Sequence, residues 1–194
     1  YAVDNGANII NMSFGKGLSP HKELVTEALQ YASENNVLIV HAAGNDSENN
    51  DEVSNYPNID LVANQDNMSF LSVGALNTEK NKYLLASFTN YGDQSLDIFA
   101  PGSDIYSTLP DNEYEYFSGT SMAAPVVSGV AALVWAFHPE LSALELKNAL
   151  IESSIKLPKK KVVLPGTAKD KVRLIEISKN AGLVNTYSVF TLLK

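Results

Sequence analysis

A serine stands at the mouth of the longest apolar stretch in the chain. Ser118-Gly119-Thr120-Ser121-Met122-Ala123-Ala124-Pro125 leads directly into Val126-Val127-Ser128-Gly129-Val130-Ala131-Ala132-Leu133, which reads as a buried helix. A hydroxyl in the first turn of such a helix has unpaired backbone N–H groups and the positive end of the helix dipole beside it, so negative charge developing there is stabilised. An acyl-transfer nucleophile belongs in that position. Pro125 has no N–H to offer the Ser121 carbonyl and is expected to distort this first turn. The small residues Gly119, Ala123 and Ala124 are expected to leave room for a substrate. Taken alone, the plainer reading is a buried helix that happens to begin with serine.

A carboxamide offers the complementary chemistry. Val37-Leu38-Ile39-Val40 is a fully apolar, β-branched run suited to a buried strand, and His41-Ala42-Ala43-Gly44-Asn45 follows at its end. Ligands of open α/β sheets gather beyond the carboxyl ends of parallel strands, so Asn45 stands where an oxyanion donor would serve. The plainer alternative is a turn residue after Gly44.

A serine hydroxyl is a poor nucleophile unless an imidazole takes its proton and a carboxylate orients that imidazole. The chain has three histidines. His21, beside Pro20, reads as solvated, and His138, before Pro139, reads as a partner for helix-end carbonyls. His41 lies four residues before Asn45 and either packs in the core or rim or lines a subsite. Asp4-Asn5-Gly6 reads as a turn and not as a catalytic carboxylate.

The elements that would position these groups alternate between strand and helix. Asn8-Ile9-Ile10-Asn11-Met12-Ser13 suits a strand entered from the Asn5-Gly6 turn. Ser19 reads as an N-cap with Pro20 at the first helical position, and Leu24, Val25, Ala28, Leu29 and Ala32 recur at helical spacing. Strand, helix and strand in this order make a parallel crossover unit. Residues 46–67 are polar and aperiodic and read as surface loops. Phe70-Leu71-Ser72-Val73-Gly74-Ala75 resumes as a strand, followed by shorter strands over residues 96–100, 104–108 and 114–117. Ser142 with Glu145 forms a capping box for another helix, residues 156–171 read as a basic loop or hairpin, and residues 185–193 suit a short amphipathic helix. The fold class is therefore α/β.

Composition limits the partners. Asp and Glu total 22 against 14 Lys and Arg, a net charge of -8, which argues against a nucleic-acid footprint. The absence of cysteine excludes disulfides and thiolate metal sites. The apolar stretch from Ala123 to Phe137 is interrupted by Pro125, Ser128 and Gly129 and reads as a buried helix, not a membrane span.

Gly119-Thr120-Ser121-Met122-Ala123-Ala124-Pro125 resembles, residue for residue, the nucleophile motif of the subtilisin-like serine peptidases. Ala42-Ala43-Gly44-Asn45 is similar to the segment whose Asn amide faces the oxyanion in that family. Ile9-Ile10-Asn11-Met12-Ser13-Phe14-Gly15 resembles the family strand that pairs with extended substrate. Ala86-Ser87-Phe88-Thr89-Asn90-Tyr91-Gly92, Leu96-Asp97-Ile98-Phe99-Ala100-Pro101-Gly102 and Gly182-Leu183-Val184-Asn185 resemble scaffold blocks, so nearly the whole chain is covered. The resemblance implies a doubly wound, mainly parallel sheet with helices on both faces and a serine endopeptidase acting on polypeptides. It assigns Ser121 as nucleophile, Asn45 and the Ser121 N–H as oxyanion hole, and Ser13, Phe14 and Gly15 with Ala42, Ala43 and Gly44 as flanks of the substrate pocket.

The same family carries its Asp and His in Asp-Ser-Gly or Asp-Thr-Gly and His-Gly-Thr-x-Val-Ala-Gly motifs ahead of the Asn11 strand, and neither occurs in these 194 residues. The expectation is a C-terminal portion of one peptidase domain, inactive alone and prone to self-association through its unpaired sheet edge. A parent that lacks the Asp or the His would instead be a non-catalytic peptide-binding module. An α/β-hydrolase is disfavoured, because Asp170 follows His138 where that fold needs acid before His. No cofactor is implied. Calcium is carried by many members of the family, but Asp46, Glu48, Asp51 and Glu52 match no calcium-loop spacing and read as a solvated loop. The resemblance also implies a secreted or cell-envelope location.

Overall fold

The computed structural model describes residues 1–77 and 84–194. Its elements run β1 (Ile9–Met12), α1 (Lys22–Glu34), β2 (Leu38–Ala42), β3 (Phe70–Leu76), β4 (Ile98–Pro101), β5 (Ile105–Leu109), β6 (Glu113–Phe117), α2 (Thr120–Phe137), α3 (Ala143–Glu152), β7 (Ile155–Lys156), β8 (Lys161–Val163), β9 (Lys171–Arg173), β10 (Gly182–Leu183) and α4 (Thr186–Leu192). One sheet of order β1-β2-β3-β4-β10-β7 holds the centre. The first five of these strands pair in parallel, and only β7 runs antiparallel. Two hairpins, β5-β6 and β8-β9, lie apart from it, the second overlapping the basic segment and ending at Arg173. The α/β architecture expected from the sequence is the one observed.

Period-two alternation in β2 sends its side chains to two separate cores. Leu38, Val40 and Ala42 pack with Ala123, Ala124, Val127, Ala131 and Val134 of α2 and with Leu146 and Leu150 of α3. Ile39 faces the other way, onto Leu29 and Ala32 of α1 and Phe70 of β3. Helices therefore cover both faces, and β2 and β3 are buried along their whole length. With a mean hydropathy of 1.6 over 18 residues, α2 is long and apolar enough by length and composition to cross a membrane, yet here it lies against the sheet.

Local signals set some boundaries and fail at others. The Ser142 hydroxyl accepts from Glu145 N at 3.2 Å while the Glu145 carboxylate accepts from Ser142 N at 2.7 Å, so the capping box exists. Asn185 caps α4 through its side chain. By contrast, Ser19 and Pro20 do not open α1, which begins at Lys22 with His21 in the cap position and no side-chain cap. Leu24 and Val25 turn outward, and the buried stripe is Thr26, Leu29 and Ala32. Pro125 lies inside α2, which is helical on both sides of it.

Candidate active site

The carboxyl ends of β1 and β2 and the N-terminus of α2 converge on one cleft of about 180 Å³. Ser121 is the second residue of α2. The N–H of Thr120 goes to Asn45 Oδ1, and those of Met122 and Ala123 go to the Gly119 carbonyl. Between them, the Ser121 N–H has no backbone acceptor among the described residues. The Ser121 hydroxyl donates to the Ser13 carbonyl at 3.1 Å.

Asn45 is oriented by Thr120. Its Oδ1 accepts from Thr120 N at 2.8 Å and from Thr120 Oγ1 at 2.9 Å. With the oxygen committed to two donors, the amide orientation is fixed and Nδ2 is left free of Thr120. It lies 3.5 Å from where a Cβ on Gly119 would stand. Thr120 Oγ1 also accepts from Gly44 N at 3.1 Å, tying the helix start to the strand end. The two groups proposed from sequence, a hydroxyl and a carboxamide, line the same cleft.

Of the residues that the sequence places beside them, Phe14, Gly15, Ala42 and Gly44 line this cleft. Ala43 does not, because its side chain is buried among Leu76, Leu96 and Phe99. Ser13 is not among the lining residues; it borders them, its hydroxyl donating to the Ser121 carbonyl at 2.8 Å and its carbonyl accepting from the Ser121 hydroxyl. Ala123 and Ala124 are wholly buried against the sheet, so their small size serves close packing of helix on sheet and not space for substrate. Gly102 has a similar role: a Cβ there would stand 2.8 Å from the Gly119 carbonyl oxygen, and the Gly102 carbonyl accepts from Gly119 N at 2.7 Å.

Three residues that shape this site carry no chemical signal of their own in the sequence. Thr120 is one of the residues of the nucleophile motif. Asn90, 1 % exposed, is the buried brace of the Gly44 turn: its Oδ1 accepts from Asp46 N at 2.8 Å and Glu48 N at 3.1 Å, and its N–H donates to the Gly44 carbonyl at 2.9 Å. Gly44 has φ +113°, and a Cβ there would collide with Asn90 Nδ2. Asn55 lines the cleft and donates to the Ala43 carbonyl at 2.8 Å, and a Cβ at Gly15 would strike its side chain. It comes from an aperiodic loop that carried no signal beyond polarity.

None of the three histidines serves Ser121. His21 is exposed, and His138 caps α2 and bonds Glu140 through Nδ1 at 3.1 Å. His41 is buried on the α1 side of β2, its Nε2 3.0 Å from the Phe14 carbonyl and its ring against Phe70. Burial pushes its pKa down from 6.5 to about 4. It also lines a small polar cavity with Asp97, whose carboxyl is pushed up by burial, and Lys147, whose ammonium is pushed down by burial. No three His, Asp or Glu residues converge to hold a metal ion among the described residues. In the acidic loop, the Asp51 carboxylate accepts from Gln94 N and Ser95 N.

Residues 1–182 match the subtilase family of peptidases, and the chain belongs to that family. Subtilisin DY of Bacillus licheniformis is 39% identical over 160 residues, covering 81% of this chain and 53% of the relative. The cell wall-associated protease of Bacillus subtilis is 43% identical over 150 residues, 77% of this chain and 15% of that protein. The major intracellular serine protease of the same organism is 37% identical over 164 residues, 81% of this chain and 47% of the relative. Among solved structures, the prenylagaramide maturation protease PagA superposes with a TM-score of 0.73 at 32% identity, over 100% of this chain and 64% of that one. The patellamide maturation protease PatA gives 0.72 at 30% identity, over 99% and 65%. The chain thus spans about half the length of Subtilisin DY and under two thirds of these two structures.

Proposed function

We propose that the protein is a serine endopeptidase in which these residues supply the nucleophile, the oxyanion hole and part of the peptide groove. Ser121 Oγ attacks the scissile carbonyl carbon. Its proton passes to an imidazole and then to the leaving amine as the C–N bond breaks, and water hydrolyses the acyl-enzyme. Asn45 Nδ2 and the Ser121 N–H receive the developing oxyanion. The observation that carries this reading is that the Ser121 hydroxyl and the Asn45 carboxamide line one cleft, with Asn45 Oδ1 already committed to Thr120.

No imidazole within these 194 residues reaches Ser121, whose hydroxyl rests on the Ser13 carbonyl. The base and its carboxylate therefore come from polypeptide outside them, and these residues alone are inert. Among the described residues no strand pairs with the outer edge of β1, and Leu133 and Phe137 stand exposed on α2, so the isolated segment is expected to self-associate. A clean monomer in light scattering would count against that. Polypeptides are the substrate class. The location is secreted or at the cell envelope, as for the cell wall-associated relative, although an intracellular relative is about as similar.

The decisive experiment exposes the full-length natural protein to a fluorophosphonate probe and maps the adduct. Covalent labelling at Ser121, lost in Ser121→Ala, is expected. A folded protein left unlabelled at Ser121 would overturn the reading. The missing imidazole favours a second one, a peptide-binding module without catalysis, for which the same experiment gives no adduct while peptides still bind.

A further inference from the structure

His41 occupies a position for which the proposed chemistry has no use, yet it is among the most enclosed polar side chains in the protein, 3 % exposed. It stands opposite Met12 in the β1-β2 ladder, where β1 ends. Beyond that point residues 13–15 leave the sheet and run along the cleft until Lys16 is caught again by Tyr56, through bonds of 2.9 and 2.8 Å between their backbones. In a parallel ladder alternate residues direct their main-chain groups to the same neighbour. Asn8 O accepts from Leu38 N, so the even-numbered carbonyls of this segment point toward β2. The Phe14 carbonyl continues that direction, and the His41 imidazole meets it at 3.0 Å. A carbonyl only accepts, so Nε2 carries the proton. The Ser13 carbonyl points the other way, to the Ser121 hydroxyl.

We propose that His41 is a positioning residue for peptide binding: by holding the Phe14 carbonyl from within the sheet, it fixes residues 13–15 so that their opposite edge is presented to an extended substrate backbone. Beside the side-chain bonds that tie Ser13 Oγ to the Ser121 carbonyl and to Asn11, the main-chain oxygens of these residues accept two bonds, one from Ser121 Oγ and one from His41 Nε2. The first is given up whenever the hydroxyl turns to its base or attacks. The second does not involve the reacting atoms and persists through the cycle. An added peptide strand gains its affinity from main-chain hydrogen bonds, which tolerate little movement of the receiving edge. The inference rests on the serine-peptidase reading for its substrate, while the anchoring itself is a property of this fold.

The test compares wild type, His41→Ala and His41→Gln in the full-length protein, since a glutamine amide can still donate to the carbonyl. Three quantities are read: KM and kcat on a fluorogenic peptide that spans the cleft, the rate of fluorophosphonate labelling, and backbone hydrogen–deuterium exchange over residues 13–17. For His41→Ala we expect a KM raised about tenfold with kcat and labelling rate held within about twofold, because binding common to ground and transition states is lost. Exchange over the segment should accelerate, and His41→Gln should restore both. Unchanged KM and exchange in His41→Ala would overturn the proposal. So would a parallel fall of KM-normalised rate, kcat and labelling that glutamine does not rescue, since that marks general loss of structure. If wild type takes up no probe, the peptidase reading falls, and the exchange comparison then supports or overturns the anchoring by itself.

Discussion

Ser13 and Ser121, 108 residues apart, hold each other by two hydrogen bonds: the Ser13 hydroxyl donates to the Ser121 carbonyl at 2.8 Å, and the Ser121 hydroxyl donates to the Ser13 carbonyl at 3.1 Å. The first bond answers a vacancy created by sequence. Pro125 lacks the N–H that would otherwise close the helical ring onto Ser121 O, and a part-buried carbonyl without a donor is costly. Asn11 Nδ2 donates in turn to Ser13 Oγ at 2.9 Å, so the end of β1 and the first turn of α2 form one polar seam.

This pairing predicts a coupling. Ser13→Ala should destabilise the protein by about 1 kcal/mol, because the Ser121 carbonyl loses its donor. In a Pro125→Ala background, the restored N–H supplies that carbonyl from within the helix, and the same Ser13→Ala change should cost measurably less. Urea unfolding of the four members of the cycle reads the difference. Equal effects in both backgrounds would show that the Ser13 hydroxyl is not substituting for the missing helical bond.

Thr120 makes a sharper prediction about catalysis. Asn45→Ala should lower kcat about 100- to 1,000-fold, a loss measured for an oxyanion donor in subtilisin itself and carried over here. Thr120→Val removes the hydroxyl bond to Asn45 Oδ1 and leaves only the backbone one, so the carboxamide gains freedom to rotate. A fall in kcat of about tenfold is expected, with Thr120→Ser near wild type because serine keeps the oxygen. Steady-state kinetics on the full-length protein checks it, and a Thr120→Val enzyme as fast as wild type would remove Thr120 from the site.

What the sequence disclosed here follows the range of the interactions concerned. The Ser142–Glu145 box and the apolar run of β2 depend on neighbours a few residues away, and both stand where the pattern puts them. Ser121 and Asn45 stand out in the sequence because each sits in a block that resembles a family motif, and both line one cleft. The Ser19 cap failed for the opposite reason: α1 is started by how its buried stripe of Thr26, Leu29 and Ala32 meets the sheet, and that docking outweighs a local cap worth about 1 kcal/mol. Small residues at Ala123 and Ala124 suggest substrate space when only the sequence is read, yet the same small volume is what lets α2 sit close on β2 and β3. Asn90 and the Ser13 bond to Ser121 involve partners tens of residues away, which no local period or cap records.

Asn90 predicts a stability effect at the loop that carries Asn45. Truncation to alanine would orphan the N–H groups of Asp46 and Glu48 and leave the Asn50 carboxamide oxygen without its 2.9 Å donor. Two orphaned amides set the expected loss at about 2–5 kcal/mol. Because these bonds brace the turn that carries Asn45, probe labelling of Ser121 should slow as well, under conditions where the variant is folded. Thermal unfolding followed by circular dichroism gives the first quantity. An Asn90→Ala protein of wild-type stability would mean that water or Asn50 replaces the lost acceptor without penalty.

His41 sets a pH dependence whose sign is fixed by its burial. The unfolded imidazole takes up a proton near pH 6.5 and the folded one only near about 4, so between these values the unfolded state binds more protons and stability falls as pH falls. The contribution is fully present above 6.5, is lost progressively on acidification, and levels off below about 4 after a total of about 3 kcal/mol. Asp97 acts in the opposite sense, since its raised pKa lets the folded state take a proton first, and Asp60, Lys147 and Lys179 line the same cavity. Subtracting His41→Gln from wild type cancels these shared groups and isolates the imidazole. The difference in unfolding free energy should be constant above pH 7 and shrink steadily toward pH 4. A difference that stays flat across this range would mean that the ring is protonated, or reaches water, in the folded protein, and that the Phe14 carbonyl is held by something other than a buried neutral imidazole.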